Sequence, residues 1–124
     1  MSKKIQILYV DDEQNLRHLV KEQLSAEGYA VDTADDGDTA IDMIKRHQYD
    51  VVLLDIRMPR VSGLDVLKYI RTQKLPCRVL MLTAVDDLSV ALEAVKIGAN
   101  DYITKPYEVN VLLSSIHRLT APAK

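Results

Sequence analysis

The chain has 124 residues, a hydrophobic share of 48%, a net charge of −2 and a single cysteine. That length favours one domain with a core of its own, and that composition excludes disorder. The charge balance leaves no bulk basic field to hold nucleic acid, Cys77 has no partner for an internal disulfide, and no apolar run approaches the ~20 residues of a membrane span.

Strand and helix signals alternate five times along the chain. The first strand is expected at Ile5–Val10, and only a few residues precede it, too few for a signal-peptide core. A cytoplasmic location is therefore the expectation. Leu16, Leu19, Val20 and Leu24 then recur at helical spacing, and Gly28 ends that helix. A strand is expected at Tyr29–Thr33, followed by an apolar stripe of Ala40, Ile41 and Ile44 after Asp36-Gly37. The acids around Gly37 read as a turn and a helix start, not as a calcium loop.

Val51–Asp55 is apolar without alternation until its last residue, the mark of a parallel strand covered on both faces. Leu64, Leu67 and Ile70 follow Ser62, which with Asp65 forms a capping-box pattern. A fourth strand is expected at Arg78–Thr83, then a helix with Leu88, Ala91, Leu92 and Val95 inward and Gly98 just past its end. Tyr102–Thr104 is the fifth strand, and Val109, Leu112, Leu113 and Ile116 mark the fifth helix. A five-fold βα alternation implies parallel strands, right-handed crossovers and helices on both faces. Residues 1–124 form one domain on this reading, with 119–124 as a tail or the start of a linker.

Asp11 and Asp12 follow the first strand, Asp55 closes the third, Thr83 the fourth, and Lys105 follows the fifth. Ligands bind beyond the carboxyl ends of such strands, so these residues are expected to share one site. Three carboxylates together repel unless a cation compensates. An all-oxygen set without His or Cys selects Mg²⁺, with Mn²⁺ as the alternative, over zinc. A fixed ammonium beside them suits a phosphoryl group. His18, His47 and His117 lack ligand spacing and are expected on helix surfaces. Met43 and Met81 are expected as core filler. Tyr9, in the first strand, needs a partner for its hydroxyl if buried.

The chain resembles the receiver domain of bacterial two-component response regulators, with the flavodoxin-like fold of the chemotaxis regulator. The resemblance rests on Val10-Asp11-Asp12-Glu13, Leu53-Leu54-Asp55-Ile56-Arg57-Met58-Pro59, Ser62-Gly63, Leu82-Thr83-Ala84, Gly98-Ala99-Asn100-Asp101-Tyr102 and Lys105-Pro106. It implies strand order 2-1-3-4-5, the order the chemotaxis regulator exemplifies. It implies a signalling phosphoacceptor rather than an enzyme in the ordinary sense, one that assists its own phosphorylation and dephosphorylation. Asp55 is then the acceptor of a phosphoryl group from the phosphohistidine of a sensor kinase or phosphotransfer protein. Asp12, Asp55 and the Arg57 backbone carbonyl hold Mg²⁺, and Asp11 acts mainly through a coordinated water. Lys105, Thr83 and the Ala84 N–H serve the phosphoryl oxygens, and the Lys105–Pro106 bond is cis.

By the same resemblance, Thr83 and Tyr102 switch a face made by the fourth helix, fifth strand and fifth helix. That face, around Val90, Glu93, Ala94, Tyr102, Val111 and Ser114, meets an effector and leaves a phosphorylation-dependent dimer open. The domain itself contacts neither nucleic acid nor membrane. Arg57 and Val85, two residues beyond Asp55 and Thr83, tune the lifetime of the phosphoryl group.

Two other readings compete. A haloacid-dehalogenase-type, Mg²⁺-dependent aspartyl-phosphate hydrolase needs an acid two residues after its nucleophile, where this chain has Arg57. A flavodoxin-like binding module needs a Ser/Thr/Gly-rich phosphate loop, where this chain has Asp11-Asp12-Glu13.

Overall fold

In the computed structural model, residues 4–121 are described. Five strands alternate with five helices: β1 Gln6–Val10, α1 Gln14–Ala26, β2 Ala30–Ala34, α2 Gly37–Arg46, β3 Val51–Asp55, α3 Gly63–Thr72, β4 Arg78–Ala84, α4 Leu88–Ile97, β5 Asp101–Lys105 and α5 Val109–Thr120. A 3₁₀ turn, Val85–Asp87, links β4 to α4. The strands form one parallel sheet in the order β2-β1-β3-β4-β5. This is the expected doubly wound α/β fold. Strand ends differ from the sequence expectation by one residue: β2 starts at Ala30, β4 reaches Ala84, and β5 covers Asp101–Lys105.

The sheet separates two cores, because successive strand residues point to opposite faces. On one side Leu8, Val10, Val52, Leu54, Val79 and Met81 pack under α2, α3 and α4. On the other Ile7, Tyr9, Val51, Leu53, Leu80, Leu82 and Ile103 pack under α1 and α5. Every residue of β3 is buried, as its unbroken apolar run requires. Met81 is core, while Met43 is only half-buried.

The helix stripes are partly displaced from expectation. In α1, Val20 and Leu24 are buried, but Leu19 is 44% exposed. In α4 the buried residues are Ala91 and Ala94, whereas Leu88, Leu92 and Val95 face outward. Small alanines let α4 sit close to the sheet, which turns the neighbouring larger side chains to the surface. Ala94, expected on the exposed output face, is therefore inside. Residues 119 and 120 belong to α5 rather than to a tail, and 122–124 lie outside the described residues.

Helix α3 begins with the expected capping box. The Asp65 N–H donates to Ser62 Oγ at 3.2 Å, and the Ser62 N–H donates to Asp65 at 3.0 Å. This cap drives Gly63 against the end of β3. A Cβ on Gly63 would lie 2.3 Å from the Asp55 carbonyl oxygen and 2.9 Å from Ile56 Cα. Gly63→Ala should therefore destabilise the fold by about 3 kcal/mol, through backbone displacement at a packed position. Gly28→Ala meets open space and bears only the strain of φ +96°, about 1 kcal/mol. Urea midpoints of the two variants check the ranking. A smaller loss for Gly63→Ala would show that the α3 cap can move away from Asp55.

Candidate functional site

The candidate residues converge at the carboxyl edge of β1, β3, β4 and β5. Asp11 follows β1 directly and is fully buried, while its neighbour Asp12 is exposed. The Asp11 backbone N–H donates to the Ala34 carbonyl at 3.2 Å, which ties it to the end of β2. Asp55, the last residue of β3, is 7% exposed. The carboxylates of Asp11, Asp12 and Asp55 each place an oxygen within 4.8 Å of the others.

Lys105 ends β5 and reaches across this group. Its Nζ lies 3.0 Å from Asp11 Oδ2 and 3.3 Å from Asp55 Oδ1. The Lys105–Pro106 peptide is cis. Burial disfavours the Lys105 ammonium, but the two carboxylates outweigh it and raise its pKa. The Asp55 carboxyl is also pushed up, from 3.8 to about 6, which for an acid disfavours the charged form. Burial is the main cause, and Asp11 and Asp12 add repulsion that Lys105 only partly offsets. Three carboxylates against one ammonium leave an excess of negative charge in a set of hard oxygen donors. That donor set fits Mg²⁺, which takes one or two carboxylates and keeps part of its hydration.

Thr83 is 1% exposed. Its hydroxyl faces the carbonyl oxygens of Ala84 at 3.2 Å and Asp87 at 3.5 Å. It thus ties the end of β4 to the 3₁₀ turn. A cavity of about 200 Å³ is lined by Asp55, Ile56, Arg57, Thr83, Ala84, Asp87 and Lys105. Val85 is not among its lining residues and is 62% exposed. Tyr102 is half-buried on β5, packed against the core under α4.

Three further residues belong to the site, and sequence reasoning missed their roles. Tyr9 is buried, and its hydroxyl donates to Asp11 Oδ2 at 3.0 Å. The Tyr107 hydroxyl lies 2.7 Å from the Tyr9 hydroxyl. Since the carboxylate takes the Tyr9 proton, Tyr107 is the donor to Tyr9. Burial raises the pKa of both phenols and keeps them protonated as donors. With the Glu13 N–H on its other oxygen at 2.9 Å, Asp11 is held on all sides. The third residue is Asp87, whose carboxylate receives Nε and one terminal nitrogen of Arg57. This Arg57 hydrogen bond holds Asp87 below the usual carboxylate range. The Arg57 side chain, expected to tune the lifetime of a phosphoryl group, is forked onto this acid from the next loop. The adjacency of Tyr107 to Lys105-Pro106 was the signal available for one of these residues. Nothing local marked Asp87 out from Asp86.

His18, His47 and Asp36 have surface or capping roles. His18 and Glu22 pair at 3.7 Å on α1, and His47 meets Gln6 at 3.2 Å. Asp36 caps α2, accepting the Thr39 N–H at 2.8 Å. Cys77 is a buried thiol whose pKa is raised by burial, the opposite of an activated cysteine.

An acidic strand-end cluster, an apposed lysine and a strand-end threonine thus share the carboxyl edge of a doubly wound five-stranded α/β domain. Residues 7–117 match the family described as the response regulator receiver domain, and the chain belongs to that family. It is 40% identical over 116 residues to the transcriptional regulatory protein DltR of Streptococcus agalactiae, covering 94% of this chain and 52% of that protein. It is 37% identical to the response regulator ArlR of Staphylococcus aureus, covering 92% of this chain and 52% of that protein. The chain thus spans about half the length of these relatives. Among solved structures, the chemotaxis protein CheY4 of Vibrio cholerae superposes with a TM-score of 0.88 at 30% identity, covering 94% of this chain and 99% of that one. The receiver domain of NtrX from Brucella abortus gives a TM-score of 0.86 at 35% identity, covering 93% and 99%. The protein is therefore a receiver domain of two-component signal transduction, a signalling domain. No helix among the described residues is long and apolar enough to cross a membrane.

Proposed function

We propose that Asp55 is the phosphoacceptor of this receiver. A carboxylate oxygen of Asp55 attacks the phosphorus of a phosphohistidine on a sensor kinase or phosphotransfer protein. The new O–P bond makes an acyl phosphate as the P–N bond breaks, and the histidine nitrogen keeps the electron pair. The observation that carries this reading is the placement of Asp55, buried at a strand end, 3.3 Å from an ammonium and beside two more carboxylates.

Asp12, Asp55 and the Arg57 carbonyl are the residues that would hold Mg²⁺, with Asp11 acting through water. The ion supplies neutralisation of the charge on the transferring group. Lys105 faces the phosphoryl oxygens from the β5 side. Thr83 turns its hydroxyl from the Ala84 and Asp87 carbonyls to a phosphoryl oxygen, and the Ala84 N–H joins it. That movement empties space that Tyr102 fills, a shift between two packings. The readout is the α4–β5–α5 face, where exposed Leu88, Leu92, Val95 and Val111 offer apolar area to an effector or to a second receiver. The relatives carry about as much chain again as this one, so the effector is part of a longer regulator or a separate protein. Residues 1–124 serve as the receiver unit, working in the cytoplasm. The receiver touches neither DNA nor membrane.

Acetyl phosphate and Mg²⁺ should add one phosphate to the wild type and none to Asp55→Asn, read by intact mass. Equal labelling of the two proteins would defeat the assignment. Turnover of phosphomonoesters by the purified protein would instead favour the hydrolase reading.

A further inference from the structure

The proposed phosphoryl transfer uses the backbone carbonyls of Arg57 and Asp87 but not the ion pair between their side chains, and the geometry of that pair is specific. Arg57 lies two residues after Asp55, on the loop that leaves β3. Asp87 ends the 3₁₀ turn that leaves β4. Nε and one terminal nitrogen of Arg57 grip the two oxygens of Asp87, a bidentate fork that bridges the loops. Both residues line the cavity that also contains Asp55, Thr83 and Lys105. The two ends differ in exposure: the Arg57 side chain is 75% exposed and that of Asp87 is 6%. Asp87 also stands at the N-cap of α4, yet its side chain accepts no backbone N–H there. An aspartate at that position ordinarily caps its helix. Here its carboxylate is engaged by Arg57, while its carbonyl oxygen faces the Thr83 hydroxyl at 3.5 Å.

We propose that Asp87 is a positioning residue for the phosphoryl switch: with Arg57 it forms a latch across the phosphoacceptor cavity that holds the Thr83 turn in its resting place. The proposal rests on Asp55 being the phosphoacceptor. An acyl phosphate brings nearly two negative charges into a cavity that already contains the Asp87 carboxylate. Arg57 then has two competing anions on one cavity wall, and the phosphoryl group has the larger charge and matches the guanidinium fork equally well. Asp87 is repelled by the same charge that attracts its partner. Once released, it has the first-turn N–H groups of α4, which its side chain leaves uncapped, as an alternative partner. Opening the latch therefore frees the carbonyl that Thr83 faces and lets α4 shift, which couples charge on Asp55 to the output helix. In the closed state the latch opposes phosphorylation, because Arg57 must leave one anion to reach the other.

The two partners should differ in sign. Asp87→Asn keeps the shape but removes the charge, so Arg57 is free for the phosphoryl group. Arg57→Met removes the latch and the phosphoryl partner together. With Mg²⁺ present, titration of beryllofluoride followed by tyrosine fluorescence should show Asp87→Asn binding about three- to tenfold more tightly than wild type. Arg57→Met should bind no more tightly than wild type. Without beryllofluoride, amide exchange of residues 84–88 should be faster in each variant and in the double variant alike, because either substitution opens the same latch. A merely structural bridge would weaken beryllofluoride binding in both variants, and that result, or equal affinity of Asp87→Asn and wild type, overturns the latch. Additive exchange effects would overturn it as well. Failure of the wild type itself to bind beryllofluoride would instead refute the phosphoacceptor reading, and the latch with it.

Discussion

In a chelating buffer at neutral pH, Asp55→Asn should be more stable than the wild type by about 2–3 kcal/mol, or roughly 10 °C in Tm. The Asp55 carboxyl is raised from 3.8 to about 6 in the folded protein, first by burial and then by Asp11 and Asp12 against the pull of Lys105. A carboxyl with a raised folded pKa favours folding while it is protonated. Its contribution is fully present below the unfolded value near 4 and is lost as pH rises through 6. Above that the ionised group is a net cost to the fold. The asparagine variant lacks that charge, so the gap between the proteins should widen from pH 4 to pH 6 and stay constant beyond. Millimolar Mg²⁺ should narrow it, since a ligand of the folded state stabilises the wild type by mass action. Thermal melts across pH 4–8, with chelator and with Mg²⁺, make the test. A variant no more stable than wild type at pH 7.5 in chelator would show that Lys105 alone balances the cluster.

The phosphoform should also be long-lived. Replacing Arg57 by Asn and Val85 by Glu together should speed loss of the phosphoryl group about tenfold or more. Positioning the attacking water is a large part of this hydrolysis, and Val85 has no hydrogen-bonding side chain with which to do it. Arg57 sits on the wall of the Asp55 cavity and carries a fork suited to phosphoryl oxygens. A guanidinium placed there neutralises and covers the group without activating water. Radiolabel retention over time compares the two proteins. If the wild type loses label as fast as the double variant, these side chains do not set the rate.

The order of strands and helices was readable from the chain, because burial on both sheet faces forces long apolar runs and turn chemistry sets their limits. Val51–Leu54 could be little else than a central parallel strand. The capping box at Ser62 and the stop at Gly98 were equally local, since their hydrogen bonds join near neighbours. Strand-end positions also brought Asp11, Asp55, Thr83 and Lys105 to one edge, because a parallel sheet aligns its carboxyl ends. Strand order rested on resemblance, since alternation alone permits several doubly wound orders.

The folded chain decided contacts that depend on distance in space rather than along the sequence. Periodicity marks a helix as amphipathic but leaves its rotation about the axis loose by tens of degrees. Hence Ala91 and Ala94 of α4 went inward and Leu88, Leu92 and Val95 outward, where an apolar stripe predicted the reverse for the larger residues. Asp86 and Asp87 are chemically identical neighbours, and only the course of the 3₁₀ turn gives Asp87 to Arg57, thirty positions away. Tyr9 and Tyr107 are separated by 98 positions, yet they share a 2.7 Å hydrogen bond behind Asp11. Such pairings follow from how β1, β3, β4 and β5 end along one edge of the sheet, a property of the packed fold that no local pattern encodes.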